Sequence, residues 1–135
     1  MTDEKVGALE RAARSVEGLS LGDAFGEMFF AAPGAARVEA QERELPEGRW
    51  RYTDDTVMAL GIHQMLAEEG SIEGDRLAEI FAERYRDEPW RGYGPNARDI
   101  LESVARGGDW RDLSRGAFQG EGSFGNGGAM RVAPV

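Results

Sequence analysis

Cysteine is absent from this chain, and histidine occurs once, at His63. Disulfides and thiolate metal sites are thereby excluded, so any bound metal must be held by oxygen donors or by that one imidazole. No apolar run approaches the roughly 20 residues of a membrane-spanning helix. Met1-Thr2-Asp3-Glu4-Lys5 has none of the apolar core of a signal peptide. A cytoplasmic protein with no membrane partner is expected. Positive charge is also scarce: 16 Lys and Arg stand against 25 Asp and Glu, for a net charge of −9. Non-specific nucleic-acid binding needs a basic face for the phosphates, so no nucleic-acid partner is expected. An acidic protein can still take an anionic ligand where metal ions or backbone amides offset the charge locally.

Period-two alternation is missing as well, and no internal repeat is present. What remains is helical spacing in a chain of 135 residues, enough for one domain with a modest core. A first helix is predicted from Lys5, with Val6, Leu9, Ala13 and Val16 on one side. It runs into Gly22-Asp23-Ala24-Phe25-Gly26, where two glycines allow close packing or a bend, and Met28-Phe29-Phe30 reads as buried. Residues 31–50 read as an irregular connection. A second helix is predicted from about Asp54 to Glu69, stopped by Gly70. A third follows Ser71, with Ile72, Leu77, Ile80, Phe81 and Tyr85 on one face, and ends before Pro89. Gly92-Tyr93-Gly94-Pro95-Asn96 is a loop before a fourth helix, which Gly107-Gly108 ends. Trp110 and Leu113 belong to a short segment beyond it. The fold class is all-α.

Thr53-Asp54-Asp55-Thr56 gathers two carboxylates and two hydroxyls at the mouth of the second helix. Hard oxygen donors clustered in this way suit Mg²⁺ or Mn²⁺. The same residues also make an ordinary helix start, with Thr53 as N-cap and two aspartates complementing the macrodipole. On these residues alone both readings stand, capping being the commoner.

Five glycines lie within residues 120–128. Gly120, Gly122 and Gly125 match G-x-G-x-x-G in form, but that fingerprint requires a preceding strand and a following helix, and helix-like sequence precedes it here. A glycine loop at a helix start can still cradle phosphate or ribose with its amides, and Ala129-Met130-Arg131-Val132 is expected to begin that helix. A plain turn is the alternative, although glycine's entropic cost argues for positive φ angles or close approach of another group.

Together, Gly18-Leu-Ser-Leu-Gly22-Asp23-Ala24-Phe25-Gly26, Tyr52-Thr53-Asp54-Asp55-Thr56 and Ser123-Phe124-Gly125-Asn126-Gly127-Gly128-Ala129-Met130-Arg131 resemble the ADP-ribosylglycohydrolase family, of the dinitrogenase reductase-activating glycohydrolase type. Gly92-Tyr93-Gly94-Pro95 is similar to another of its loops. The resemblance implies a compact helical bundle, here truncated to its N-terminal half, with residues 1–135 as a single partial domain. It implies hydrolysis of the glycosidic bond between ADP-ribose and a protein side chain or related acceptor, at a centre of two Mg²⁺ or Mn²⁺ ions. Thr53, Asp54 and Asp55 would be metal ligands, with Asp54 and Asp55 also serving the chemistry. Ser123, Phe124, Gly125, Asn126 and Gly127 would line the ADP-ribose site. The partner would be an ADP-ribosylated protein or a small ADP-ribose conjugate.

Two departures accompany the resemblance. The family carries a second cluster, Asp-x-Asp-Thr/Ser, in its C-terminal half, which the residues up to Val135 do not include, leaving about half of a binuclear shell in them. Several members place a glutamate four residues after the last glycine of Gly-Asp-Ala-x-Gly. Phe30 stands there in this chain; either Glu27, the nearest acid, is the candidate catalytic carboxylate in a different role, or that carboxylate is absent. Helices that pack against segments beyond Val135 would expose apolar faces, so self-association is also expected. The alternatives are a catalytically incomplete module that binds ADP-ribose or a partner protein, and a helical adaptor, which leaves the glycines and Thr-Asp-Asp unexplained. His63, the three tryptophans, Arg49, Arg51 and Arg131 read first as packing or solvated residues.

Overall fold

The computed structural model describes residues 3–30, 41 and 45–135. Its helices there are α1 (Asp3–Glu27), α2 (Asp54–Glu69), α3 (Gly74–Asp87), α4 (Pro95–Ala105) and α5 (Trp110–Gly116), followed by a 3₁₀ turn at Ala117–Gly120. No strand occurs among the described residues, so the all-α expectation holds. Each helix packs against the next in chain order. None of the described helices is long and apolar enough to cross a membrane.

The centre of this stack is α2. Thr56, Val57, Met58, Ala59, Gly61, Ile62 and Met65 are all buried, so the helix is covered on more than one side. That is how an apolar helix sandwiched between neighbours behaves; here they are α1 and α3. Its ends follow from local chemistry. The Thr53 side chain caps the N-terminus, and Gly70 at φ 74° returns its N–H to the Leu66 carbonyl in the left-handed termination that glycine permits. Across the α2–α3 contact, a Cβ on Gly61 would lie 2.9 Å from the Phe81 ring. The two helices approach this closely because residue 61 has no side chain.

The helix α3 is amphipathic and buries Ile80, Ala82 and Tyr85. Pro95 occupies the first turn of α4, where its missing N–H costs no helical bond. Val57, Met58, Tyr85, Tyr93 and Leu101 form the core cluster, with Tyr52, Phe81 and Met130 packed on it. At the far end, Trp110 Nε1–H donates to Asp75 Oδ1 at 2.7 Å, and Arg111 pairs with the same carboxylate, joining α5 to the start of α3.

Several expectations are corrected. The first helix is not interrupted at Gly22 or Gly26 but continues to Glu27. A Cβ at Gly18, Gly22 or Gly26 would meet nothing within 4 Å, so these glycines are not sites of close approach among the described residues. In Met28-Phe29-Phe30 the first two are half-buried, while Phe30 is 80% exposed. Phe29 packs edge-on against Phe25 at 4.9 Å, and the turn directs Phe30 away from α1. Ile72 precedes α3 and is exposed. Gly92, Tyr93 and Gly94 form the expected loop, with the Tyr93 side chain among the most completely buried, but Pro95 and Asn96 already belong to α4. Ala129–Val132 forms turns rather than a helix, since Pro134 cannot supply the donor that a continuing helix would need. The predicted irregular connection is non-helical over 45–50, and most of residues 31–44 lie outside the described residues.

Gly61→Val places branched carbon where the Phe81 ring now sits, so it is expected to cost about 1–3 kcal/mol through overpacking. Urea unfolding followed by circular dichroism measures the loss.

Candidate metal and ligand site

A helix begins with four backbone N–H groups that have no partner inside it. At α2 every one is satisfied. Thr53 N–H donates to Asp23 Oδ2 at 2.8 Å, Asp54 N–H to the Arg91 carbonyl at 2.7 Å, Asp55 N–H to Thr53 Oγ1 at 3.3 Å, and Thr56 N–H to Asp23 Oδ2 at 3.2 Å. The Thr53 and Thr56 hydroxyls add donations to Asp23 Oδ1 at 2.7 Å and Oδ2 at 2.5 Å. A carboxylate on α1 therefore caps α2 from outside and also satisfies the buried Thr56 hydroxyl. Sequence reasoning quoted Asp23 within a motif but gave it no role, because its partners lie 30 and 33 residues away.

Capping is thus carried by Thr53, Asp23 and the Arg91 carbonyl. The Asp54 and Asp55 carboxylates are not required for it, which separates the two readings of Thr-Asp-Asp-Thr. Charge separates them further. A helix N-terminus stabilises an anion and lowers its pKa, yet Asp54 is pushed up to about 6. Burial is the main cause, followed by the negative charge of Asp55, with Asp23 adding to it. Asp55 is also raised, by burial and then by Asp23. Desolvation and mutual repulsion outweigh the dipole here, leaving concentrated negative charge at the mouth of α2.

The surrounding arginines are engaged elsewhere. Arg91 Nη1–H donates to the Tyr52 carbonyl at 3.0 Å, its guanidinium lies 3.8 Å over the Tyr52 ring, and Nη2 pairs with Glu88 at 2.5 Å. This fastens the 88–94 loop beside the mouth, where a Cβ on Gly92 (φ 89°) would sit 3.7 Å from Asp54 Oδ1. Behind it, Tyr93 stacks edge-on with Tyr85 at 5.0 Å. Burial, and then the Asp54 charge, pushes its phenol up. Arg131 reaches back from the C-terminal turn. Its Nη1 lies 3.4 Å from Met58 Sδ and its guanidinium 5.2 Å from the Phe81 ring centre. Burial lowers its pKa, while the Asp54 charge acts in the opposite direction.

As a donor set, Thr53 Oγ1 and the two aspartates fit Mg²⁺ or Mn²⁺ in kind, since both prefer hard oxygen ligands and their charge would offset the repulsion. In number they are about half of an octahedral shell. No group of three or more His, Cys, Asp or Glu side chains arranged to hold a metal occurs among the described residues. Glu27 is exposed on the last turn of α1, one turn beyond Asp23 and on the same face by i,i+4 spacing. His63 lies eight residues along α2 from Asp55, about 12 Å by helical rise. It is half-buried, its Nε2 enclosed without a hydrogen-bond partner among the described residues.

The glycine stretch is exposed from Ser123 to Asn126, and Gly127 is half-buried. Gly125 N–H donates to Ser123 Oγ at 2.9 Å, and Gly120 and Gly122 have positive φ. The Phe124 side chain projects fully into solvent. A 3₁₀ turn rather than a strand precedes the stretch, so the dinucleotide fingerprint has no structural basis here. Its connection to the mouth of α2 runs through Met130, packed on the core cluster, and Arg131.

The sequence pattern of the ADP-ribosylglycohydrolase family matches residues 4–135. Over 116 residues the chain is 36% identical to the ADP-ribosylhydrolase ARH3 of Bos taurus, covering 77% of this chain and 27% of that protein. The Homo sapiens protein of the same name is 36% identical over 115 residues, covering 76% and 26%. That of Gallus gallus is 40% identical over 86 residues, covering 62% and 23%. The chain spans about a quarter of the length of these curated relatives.

Carboxyl NMR of the metal-free protein is expected to show Asp54 titrating near pH 6, against an ordinary 3.8. Asp55→Asn removes a neighbouring negative charge and should lower that midpoint. The folded pKa lies above the unfolded one, so the folded chain holds the proton more tightly. Asp54's contribution to stability therefore declines as pH rises from 3.8 to about 6.

Proposed function

Because this chain belongs to the ADP-ribosylglycohydrolase family, we propose that residues 1–135 form one ADP-ribosylglycohydrolase-like unit serving a metal-dependent hydrolase. Its reaction is cleavage of the glycosidic bond between ADP-ribose and a protein side chain or related small conjugate. The observation that carries this reading is the mouth of α2, where two partly buried carboxylates lie beside a hydroxyl that donates its proton to Asp23 on α1.

Thr53, Asp54 and Asp55 would hold the divalent ions. When bound, such ions clamp substrate oxygens and make water a competent nucleophile near neutral pH. The chain's own groups do the rest. Asp54 and Asp55, partly removed from water, oppose the positive character that develops on the anomeric carbon as the acceptor departs. Glu27, one turn past Asp23, is the candidate carboxylate for proton transfer. Ser123, Phe124, Gly125 and Asn126, all exposed, and the half-buried Gly127 would line the ADP-ribose site with backbone groups and the Phe124 ring. A binding-only module is the second reading, favoured by the half-complete donor set.

Hydrolysis of ADP-ribosyl-arginine or O-acetyl-ADP-ribose with added Mg²⁺ or Mn²⁺ tests the first reading. Asp54→Asn is expected to lower the rate on the order of 10²–10⁴-fold if the carboxylate takes part in the chemistry. No hydrolysis, with ADP-ribose binding intact by calorimetry, would leave the binding module. In either case Phe124→Ala is expected to cost about 1–3 kcal/mol of ADP-ribose affinity, the usual value of base–aromatic stacking.

A further inference from the structure

A threonine hydroxyl has one proton to donate and two lone pairs. At Thr53 two of these three are assigned by geometry. The proton goes to Asp23 Oδ1 at 2.7 Å, since an ionised carboxylate can only accept, and one lone pair takes Asp55 N–H at 3.3 Å. One lone pair remains. Asp23 Oδ2 is held in turn by Thr53 N–H, Thr56 N–H and the Thr56 hydroxyl, so the carboxylate has little freedom to turn.

We propose that Asp23 is a positioning residue for the cation: by drawing the Thr53 proton toward α1, it keeps the hydroxyl's second lone pair available as a ligand. The inference rests on the metal reading given above and adds a residue to it. Groups that orient a metal's direct ligands in this way typically contribute roughly 10–100-fold to affinity.

The carboxylate chemistry makes a sharp distinction possible. In Asp23→Asn, the amide oxygen must replace Oδ2, because three donors converge there and an NH₂ group would clash with all of them. The NH₂ group then faces Thr53 Oγ1 and donates to it. Both hydroxyl lone pairs are now occupied, by the new NH₂ and by Asp55 N–H, and the proton must point where the cation would sit. The cap is kept in this variant while the ligand is reversed.

Mn²⁺ binding to the full chain, read by the electron paramagnetic resonance of free Mn²⁺, tests this without any turnover. Asp23→Asn is expected to fold with parental helix content and to bind Mn²⁺ roughly tenfold or more weakly. Thr53→Val should lose a similar factor, and the double variant Asp23→Asn/Thr53→Val should be no weaker than Thr53→Val alone. Asp23→Asn weakening Mn²⁺ equally in both backgrounds would mean that lost charge alone matters, and parental affinity in Asp23→Asn would mean that orientation does not. Either result overturns the inference while leaving the metal reading intact. A parent chain that binds no Mn²⁺ sinks the metal reading and the inference with it. Should Asp23→Asn fail to fold, hydroxyl-proton NMR of the parent with Mg²⁺ decides. A slowly exchanging Thr53 hydroxyl proton close to the Asp23 β-protons supports the proposal, and one directed elsewhere overturns it.

Discussion

The Asp23 carboxylate, reaching from α1 to the first turn of α2, accepts from two amides and two hydroxyls. Hydrogen bonds to a charged acceptor contribute about 1.5–3 kcal/mol each when net effects are counted, so this one side chain governs how α1 and α2 meet. Part of its value lies in what it prevents. The buried Thr56 hydroxyl would otherwise lack this partner, as would two helix-terminal amides. The remaining helices build outward from α2, each on its neighbour, so the register set at its N-terminus passes to the core cluster through Val57 and Met58.

That solution to the donor problem creates an electrostatic one. Asp23 brings a negative charge next to Asp54 and Asp55, and it is among the causes that raise both of their pKa values. Arg91, nearby, is committed to Glu88, to the Tyr52 carbonyl and to the Tyr52 ring. Arg131 is turned toward Met58 Sδ and the Phe81 ring and offsets Asp54 only in part. A neutral serine or asparagine at position 23 would remove that repulsion but could not accept from the same two amides and two hydroxyls with both side-chain atoms.

The helices and their ends were largely legible because their signals are local. Thr53 before two aspartates and Gly70 after Glu69 mark the limits of α2 without reference to anything else. The candidate site was legible as a list of residues but not as an arrangement. The Asp23 hydrogen bonds span 30 and 33 positions, and no periodicity in either helix encodes them. Tyr93 reads as loop between two glycines and is one, but its entry into the core was not legible, since nothing local marks a loop ring as buried. Local preference misled at Gly22 and Gly26, where packing along α1 carried the helix through two poor helix formers. It misled again at Ala129–Val132, where a good helical dipeptide lies too close to Pro134.

The two roles of Thr53-Asp54-Asp55-Thr56 are therefore divided among its residues rather than competing for them. Thr56 serves the fold, being buried and bonded to Asp23. Thr53 serves the cap, its oxygen taking Asp55 N–H while its proton goes to Asp23, and on the proposed metal reading its remaining lone pair would serve the cation. Asp54 and Asp55 are left with charge that neither capping nor the helix dipole compensates. With no cysteine in the chain and the lone histidine two turns away along α2, oxygen chemistry is what this mouth can offer. Both oxygens of Asp23 are already engaged by donors, so Asp23 is poorly placed to complete the shell itself. On the proposed metal reading its influence on a bound ion would pass through Thr53, and the direction of one hydroxyl proton would link the packing of α1 on α2 to the chemistry at the helix mouth.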